Sequence, residues 1–459
     1  MKKMNFRNFM AELESMGELL RIEAEVDPVH EIAAITDRVC KSTDNRGLLF
    51  ESVKGSPFRA ATNLFGSEKR MALSLGLGEL SDLTKWFDDV LADLPAGSAA
   101  EKLEHLLSAD CWHAAKPETC GPPSNLPSQE ISLKSLPALK NHPHDGEPDH
   151  DGRFLTLPIV ITSDPDGSNI NCGMYRAAIT SDDTMVIKWG STSGAAMHGA
   201  SWEMAAKPMP VVITLGAAPA LTLAATLPLP PTIDELTFAR LLQGEPLQIF
   251  SCANGLPAPL DAELVIEGYL SPVSARSGVF GNHTGCYTPS EAAAQVKVTA
   301  IRHRSDMILP STIVGRPPME DCWLARAGGY LLLSLLKVDM PQVISLHQPL
   351  AGIFHGAVII SLKKAEGEDT DLIAAIRKTP WFGAAKLIIL VDADQDPTDE
   401  QSVFWRIMNC VNADKDIVIS ATTVSIDATR KAGSPAVVEA DADTAPLVGK
   451  RWKEYGFAK

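Results

Sequence analysis

From Cys120 to Pro158 the chain is so rich in Pro, His, Asp and Gly that no long helix or strand is expected to run through it. Proline removes a backbone donor, and glycine costs conformational entropy inside an element. The stretch therefore reads as a long connection and divides the chain into parts of different hydrophobic period. Before it, Phe6, Phe9, Met10, Leu13 and Met16 recur at helical spacing as far as Gly17, and Leu20, Ile22, Ala24 and Val26 then alternate as a strand does. A second helical pattern (Ile32, Ala33, Ile35, Thr36, Val39) precedes the apolar run Leu48 to Phe50, and helices are expected over Lys69 to Leu75 and Ala99 to Leu107. After it come strand-like segments at Leu157 to Thr162, Met174 to Thr180, Met185 to Trp189, Val211 to Leu215, Gln248 to Cys252 and Glu263 to Leu270. These predict a mostly antiparallel barrel or sandwich. From Gly356 onward the runs Ala357 to Leu362, Leu387 to Val391 and Ile417 to Ile419 are separated by helical stretches Asp371 to Arg377 and Glu400 to Val411, which predicts βαβα units on a parallel sheet. At roughly 150 residues per domain, 459 residues make about three. The fold class expected is α+β, with domains at 1–120, 121–315 and 316–459.

Charge narrows the partners. Forty-one Lys and Arg stand against 57 Asp and Glu, a formal net charge of −16, so attraction to a phosphate backbone or an anionic membrane is not available and no nucleic-acid partner is expected. Charged residues interrupt the first positions, as they do not in a signal peptide, and the longest uncharged run, Pro208 to Pro231, is broken by further Pro and Gly. The eight cysteines contain no CxxC pair. These features predict a cytoplasmic protein with reduced thiols and no membrane span.

Four stretches carry polar groups that chemistry could use. In Asn171-Cys172-Gly173-Met174-Tyr175-Arg176, Arg can hold a carboxylate with two parallel hydrogen bonds and Asn offers a neutral oxygen to a hard cation. On a regular strand Asn171 and Arg176 would face opposite ways, so a bend at Gly173 is required to converge them. The bland alternative is a strand with a surface Arg. Lys188-Trp189-Gly190-Ser191-Thr192-Ser193-Gly194 lets backbone N–H groups approach an anion, although an ordinary polar turn has the same composition. Thr232 or Asp234 is suited to cap a helix with Glu235 in its first turn. In Ser277 to Tyr287, His283 alone titrates near neutrality. His142, His144, Asp145, Asp149, His150 and Asp151 are a further chelating possibility, but their loose spacing suits a solvated turn region.

Taken in order, HDGRFLTLPIVITSDPDGSNINCGMYR (150–176), MVIKWGSTSGAAM (185–197), VVITLGAAPALTLAATLPLP (211–230), AELVIEGYLSP (262–272) and FGNHTGCY (280–287) resemble the UbiD family of decarboxylases. VIISLKKAEG and LIILVDADQDPTDEQSVFWRIMN resemble its C-terminal domain. The resemblance implies an N-terminal α/β region, a central split β-barrel that binds flavin, and a C-terminal α/β domain through which copies of the chain associate as a homo-oligomer. It implies prenylated FMN, supplied by a flavin prenyltransferase, and reversible decarboxylation of an aromatic (hydroxybenzoate-type) or α,β-unsaturated carboxylic acid. Manganese, with potassium nearby, is the implied metal. Carried over by position, Asn171 and Glu235 match metal ligands, and Arg176 the arginine beside flavin and substrate. Met174, Tyr175, Arg176, Lys188, Trp189, Gly190, Ser193 and Gly194 fall where the flavin and its phosphate are contacted.

Three positions depart from the family. Thr192 stands where a metal-ligand histidine is found, Ser277 where an acid opens the glycine-rich loop, and Asn282 where an Asp or Glu donates the proton. A carboxamide is not a competent proton donor. The candidates to replace it are His283, given a changed loop path, and a metal-bound or ordered water, and Asn282→Asp is expected to raise activity if the pocket is otherwise competent. The runner-up reading is a flavin-binding subunit or cofactor carrier without decarboxylase activity.

Overall fold

The structure is a computed structural model that describes residues 4–457 apart from 109–117, 122, 131, 147–149, 231–232, 354, 364–371, 380–381, 383–384, 421, 432–436 and 439. Asn5 caps the first helix, Phe6–Ser15, by accepting the N–H of Asn8, and the helix buries Phe6, Phe9, Met10 and Leu13. Its stop at Gly17 uses a positive φ of 70°. The strand Leu19–Val26 then runs parallel to Gly47–Val53, which is antiparallel to Arg59–Thr62. Ile308–Ser311 completes this sheet, so the chain returns to its first layer after building the central one. A buried ion pair ties the two layers: Arg7 of the first helix meets Glu263 at 2.6 Å, at the start of a central strand.

The central sheet runs in the order Phe154–Leu155, Ala177–Ile179, Thr184–Ile187, Ala292–His303, Leu264–Arg276, Pro210–Leu215, Ile159–Ser163, Ile170–Met174. Every pairing along it is antiparallel, and among the described residues it does not close on itself. The strand expected from Met174 to Thr180 is in fact two, Ile170–Met174 and Ala177–Ile179, which lie toward opposite ends of that order. Two residues, Tyr175 and Arg176, connect them, and three residue steps span at most roughly 11 Å. The sheet must therefore curl until its ends nearly meet, with Tyr175 and Arg176 in the seam. The bend lies after Met174 and not at Gly173.

Helices cover one side of this curl. Gly194–Met204 packs on Ile159–Ser163 and Ile170–Met174, and Glu235–Gln243 packs on the latter. The long helix Glu320–Asp339, which the hydrophobic pattern did not reveal, joins Asp82–Ala92 and Ala99–Ser108. The C-terminal sheet is mixed where a parallel one was expected. Its core strands Ala357–Leu362, Leu387–Asp392 and Thr423–Asp427 are parallel, but the edges Val343–His347 and Ile417–Ser420 run antiparallel. The core strands Ala357–Leu362 and Leu387–Asp392 are largely buried and read as near-continuous apolar runs, whereas the half-exposed Val343–His347 carries a weaker pattern.

Candidate active site

Tyr175 folds its ring back over Gly173, where a Cβ would stand 2.3 Å from the ring, so only glycine admits this fold. The Tyr175 hydroxyl is set against Ser193 and Asn171, and burial pushes its pKa up. Asn171 packs its amide on Gly194, where a Cβ would stand 2.0 Å from Oδ1. Its Nδ2 is buried with no hydrogen-bond partner among the described residues. Ser193 caps the helix Gly194–Met204 by accepting the N–H of Ala196 at 3.2 Å, a helix start where the sequence suggests only a polar turn or an anion-approachable backbone.

Asp234, not Thr232, caps the neighbouring helix: it accepts the N–H of Thr237 at 2.8 Å, and Thr232 lies outside the described residues. Glu235 thereby begins that helix, 9% exposed, and its Oε2 accepts the N–H of Cys172 at 2.7 Å. No Lys or Arg among the described residues pairs with it. Burial lifts its pKa to about 7, partly opposed by the Cys172 N–H. Two helix starts and one strand thus converge on a small polar end.

A second end is built around Arg176. Its guanidinium lies 3.0 Å over the centroid of Phe280. Burial pushes its pKa down, and Asp145 is the charge that opposes the shift. Asp145 is 3% exposed and accepts the N–H of His142 at 2.9 Å and of Gly281 at 2.8 Å, so it holds Phe280 beneath Arg176. Within the described part of the His142 to Asp151 stretch Asp145 alone is buried and acts as the brace, while Pro143, His144 and Asp151 are exposed, as a solvated turn region would have them. His142 Nε2 meets the Val314 carbonyl at 2.9 Å, and Asp151 pairs with Arg153 at 3.0 Å. Asp149 lies outside the described residues, among which no three His, Cys, Asp or Glu gather to hold a metal.

His283 reaches the cavity while Asn282 does not. The chain turns at Asn282, whose carbonyl accepts the N–H of Gly285. Its side chain accepts the N–H of Thr284 at 2.8 Å and donates to Thr288 at 2.5 Å, so it is spent inside the turn. Ser277 accepts the N–H of Glu291 at 3.1 Å and is likewise outside the cavity lining. His283 meets His355 edge to face, 5.0 Å between centroids at 63°. Burial pushes the His283 pKa down to about 4, and the positive charges His355 and Arg176 push the same way. It is uncharged at neutral pH.

Both ends open on one cavity of about 930 Å³. Asn171, Glu235, Thr192, Ser193 and Gly194 line it at the helix starts, where the Tyr175 hydroxyl also lies, and Met174, Arg176 and His283 line it beyond them. Lys188, Trp189 and Gly190 also line it, with Lys188 ion-paired to Glu291 and Trp189 edge-on to Tyr175. The polar residues there that were not foreseen include His198, Asp321, Gln348 and His355. Asp321 had a local signal, since Pro317, Pro318 and the acidic pair after Met319 mark a helix start. The histidines had none, because only tertiary packing turns them inward.

The chain matches the models of three successive domains of the 3-octaprenyl-4-hydroxybenzoate carboxy-lyase family. They are the N-terminal domain over residues 10–90, the Rift-related domain over 116–317 and the C-terminal domain over 322–438. An uncharacterized protein of Archaeoglobus fulgidus is 33% identical, with 98% of each chain covered. One of Aquifex aeolicus is also 33% identical, with 100% of this chain and 94% of that one covered. Among solved structures, the vanillic acid decarboxylase of Sedimentibacter hydroxybenzoicus in closed form is similar at 25% identity and a TM-score of 0.83, covering 99% of both chains. The UbiD-class enzyme HmfF of Pelotomaculum thermopropionicum, an evolved dimeric form in complex with prFMN, is similar at 25% identity and 0.78, covering 96% and 98%. Matched by three consecutive domain models over most of its length, this chain belongs to the UbiD family of 3-octaprenyl-4-hydroxybenzoate carboxy-lyases.

Proposed function

We propose that the chain is a prenylated-FMN-dependent carboxy-lyase that acts reversibly on an aromatic, hydroxybenzoate-type, or α,β-unsaturated carboxylic acid. The observation that carries this reading is one cavity with a carboxylate-binding arginine at one end and two helix starts at the other. About 930 Å³ is at the upper end of the roughly 300–1,000 Å³ of small-molecule sites and accommodates a flavin mononucleotide beside a small acid. The helix start at Ser193 and Gly194, together with the Asn171 Nδ2 that has no partner among the described residues, fits a phosphate. Asn171, Glu235 and Thr192 offer oxygen donors only, which suits a hard cation such as manganese, with potassium nearby. Thr192 in place of an imidazole weakens that site.

A bound prenylated flavin supplies the electron sink for the pair left when CO2 departs. Arg176 holds the substrate carboxylate and gives up that contact as the carboxyl leaves. His283 delivers the proton to the vacated carbon. A substrate carboxylate beside Arg176 offsets the positive charge that disfavours a protonated His283, so the proton is easier to load with substrate bound. Leu324, Leu331 and Leu335 line the remaining wall and exclude water.

A flavin prenyltransferase is the proposed cofactor supplier. The exposed side chains of Phe404 and Met408, 62% and 63%, and the edge-strand Ile419, 76%, suit self-association through the C-terminal part. Among the described residues no helix is long and apolar enough to cross a membrane, and we place the protein in the cytoplasm.

The deciding experiment is production alongside a flavin prenyltransferase, followed by the absorbance spectrum and cofactor mass of the purified protein. A colourless protein overturns the reading. A second reading, a flavin carrier without activity, is favoured by Ser277 and Asn282, uncharged and turned away from the cavity. Incubating the loaded protein with a panel of acids in D2O separates the two, because deuterium at the product carbon requires a working donor.

A further inference from the structure

Among the described residues two carboxylic side chains line the cavity, Glu235 and Asp321. Glu235 belongs to the helix-start end, and decarboxylation as proposed leaves Asp321 without a task. Asp321 sits in the first turn of the helix Glu320–Asp339, where an acid is favoured by the helix dipole, but that alone does not turn it toward the cavity. Leu324, Ala325, Gly328 and Leu332 follow it at helical spacing and line the same wall, so a face that is otherwise apolar carries one acid at its end. Its neighbour Glu320 faces away: it is 2% exposed and accepts the N–H of Phe65 at 2.8 Å.

A carboxyl in a cavity that takes up an anionic acid repels its ligand unless a donor on the ligand meets it. Asp321 forms no ion pair among the described residues, and its close contact is with Cys322 in its own turn. The charge acting on Arg176 is that of Asp145, which sets Asp321 apart from the carboxylate-binding end. We propose that Asp321 is the specificity residue of the cavity, hydrogen-bonding a ring hydroxyl remote from the carboxylate that Arg176 holds, so that hydroxylated aromatic acids are selected over unsubstituted ones. Burial lifts its pKa to about 7, with Glu320 adding to the shift, so at neutral pH it can accept from a phenol or donate to one. The inference rests on the carboxy-lyase reading and adds to it the group on the substrate that is read.

The test is calorimetric titration of the full chain, with FMN added, by benzoate, 3-hydroxybenzoate and 4-hydroxybenzoate. The wild type is expected to bind one hydroxylated acid about tenfold more tightly than benzoate, the size of one hydrogen bond to a charged acceptor. Asp321→Leu should bring the affinities together without weakening benzoate, and Asp321→Asn, which keeps an acceptor, should retain part of the preference. Melting temperatures establish that each variant is folded, and Asp321→Asn carries the test if Asp321→Leu is not. A preference that survives in Asp321→Leu, or that the wild type lacks, overturns the proposal alone. Failure of the wild type to bind any of the three overturns the proposal together with the aromatic-acid form of the carboxy-lyase reading. Normal binding by Asp321→Asn with no deuterium incorporation would make Asp321 the proton donor and also overturn the specificity role.

Discussion

The two ends of the cavity are built by different kinds of structure. At the helix-start end, Ser193, Gly194, Asp234 and Glu235 are placed by caps that each close within three residues, and Asn171 reaches them from one strand. At the guanidinium end, Arg176, Phe280, Asp145, His283 and His355 come from segments far apart in the chain. Caps survive sequence drift because the backbone groups they satisfy are always present. A site assembled from loops is rewired by one turn, and the turn at Asn282 engages that side chain in its own hydrogen bonds while presenting His283.

Substitutions at one end should leave the other intact, and the largest effect is expected at Arg176. Arg176→Ala should lower CO2 release roughly 10²–10³-fold, the loss typical of a single charge-binding group, with flavin content unchanged. Loss of flavin in that variant would break the division between the ends. His283→Gln should lower deuterium incorporation by about 10²-fold at unaltered flavin content, and a normal rate would return the donor role to another group. Gly194→Ala drives a Cβ to 2.0 Å from Asn171 Oδ1 and should weaken FMN about tenfold in a fluorescence titration, because a crowded site costs about 1–3 kcal/mol.

Glu235 sharpens the comparison through pH. Its folded-state pKa of about 7 lies above the ordinary 4.5, so the folded protein binds the proton more tightly, and this group's contribution to stability is lost as pH rises from 4.5 through 7. Melting temperature without ligand should fall over that window, and Glu235→Gln should flatten the fall, worth about 1–3 kcal/mol. The smallest effect is expected of Asn282→Asp, which keeps both acceptor bonds to Thr284, loses its donor bond to Thr288, and stays inside its turn. Activity should change by less than about threefold, given the modest net worth of one hydrogen bond. The activity gain that the bare loss of the acid suggests is thus not expected from the structure.

Much of the fold was legible. The first helix and strand, the antiparallel character of the centre and the parallel core of the last sheet follow from apolar period and turn residues. The helix Glu320–Asp339 was not, since it packs against helices and sheet on several sides and lacks a clean polar face. The edge Val343–His347 was missed because partial exposure dilutes the strand pattern, and Ile417–Ser420 was foreseen as a strand but not as an antiparallel edge, since direction is set by the chain's return through Thr423–Asp427.

The sequence alone determined that the first helix stops at Gly17, that a helix start lies at Thr232 or Asp234, and which residues carry the family's motifs. Tertiary structure decided that Arg176 stands in the seam of a curled sheet over Phe280, that Asp145 braces it, and that His283, His355 and Asp321 face inward while Asn282 and Ser277 do not. The reason is one of range. A cap or a turn is settled by hydrogen bonds among a few neighbouring residues, whereas the direction of a loop side chain is settled by which distant surfaces close around it.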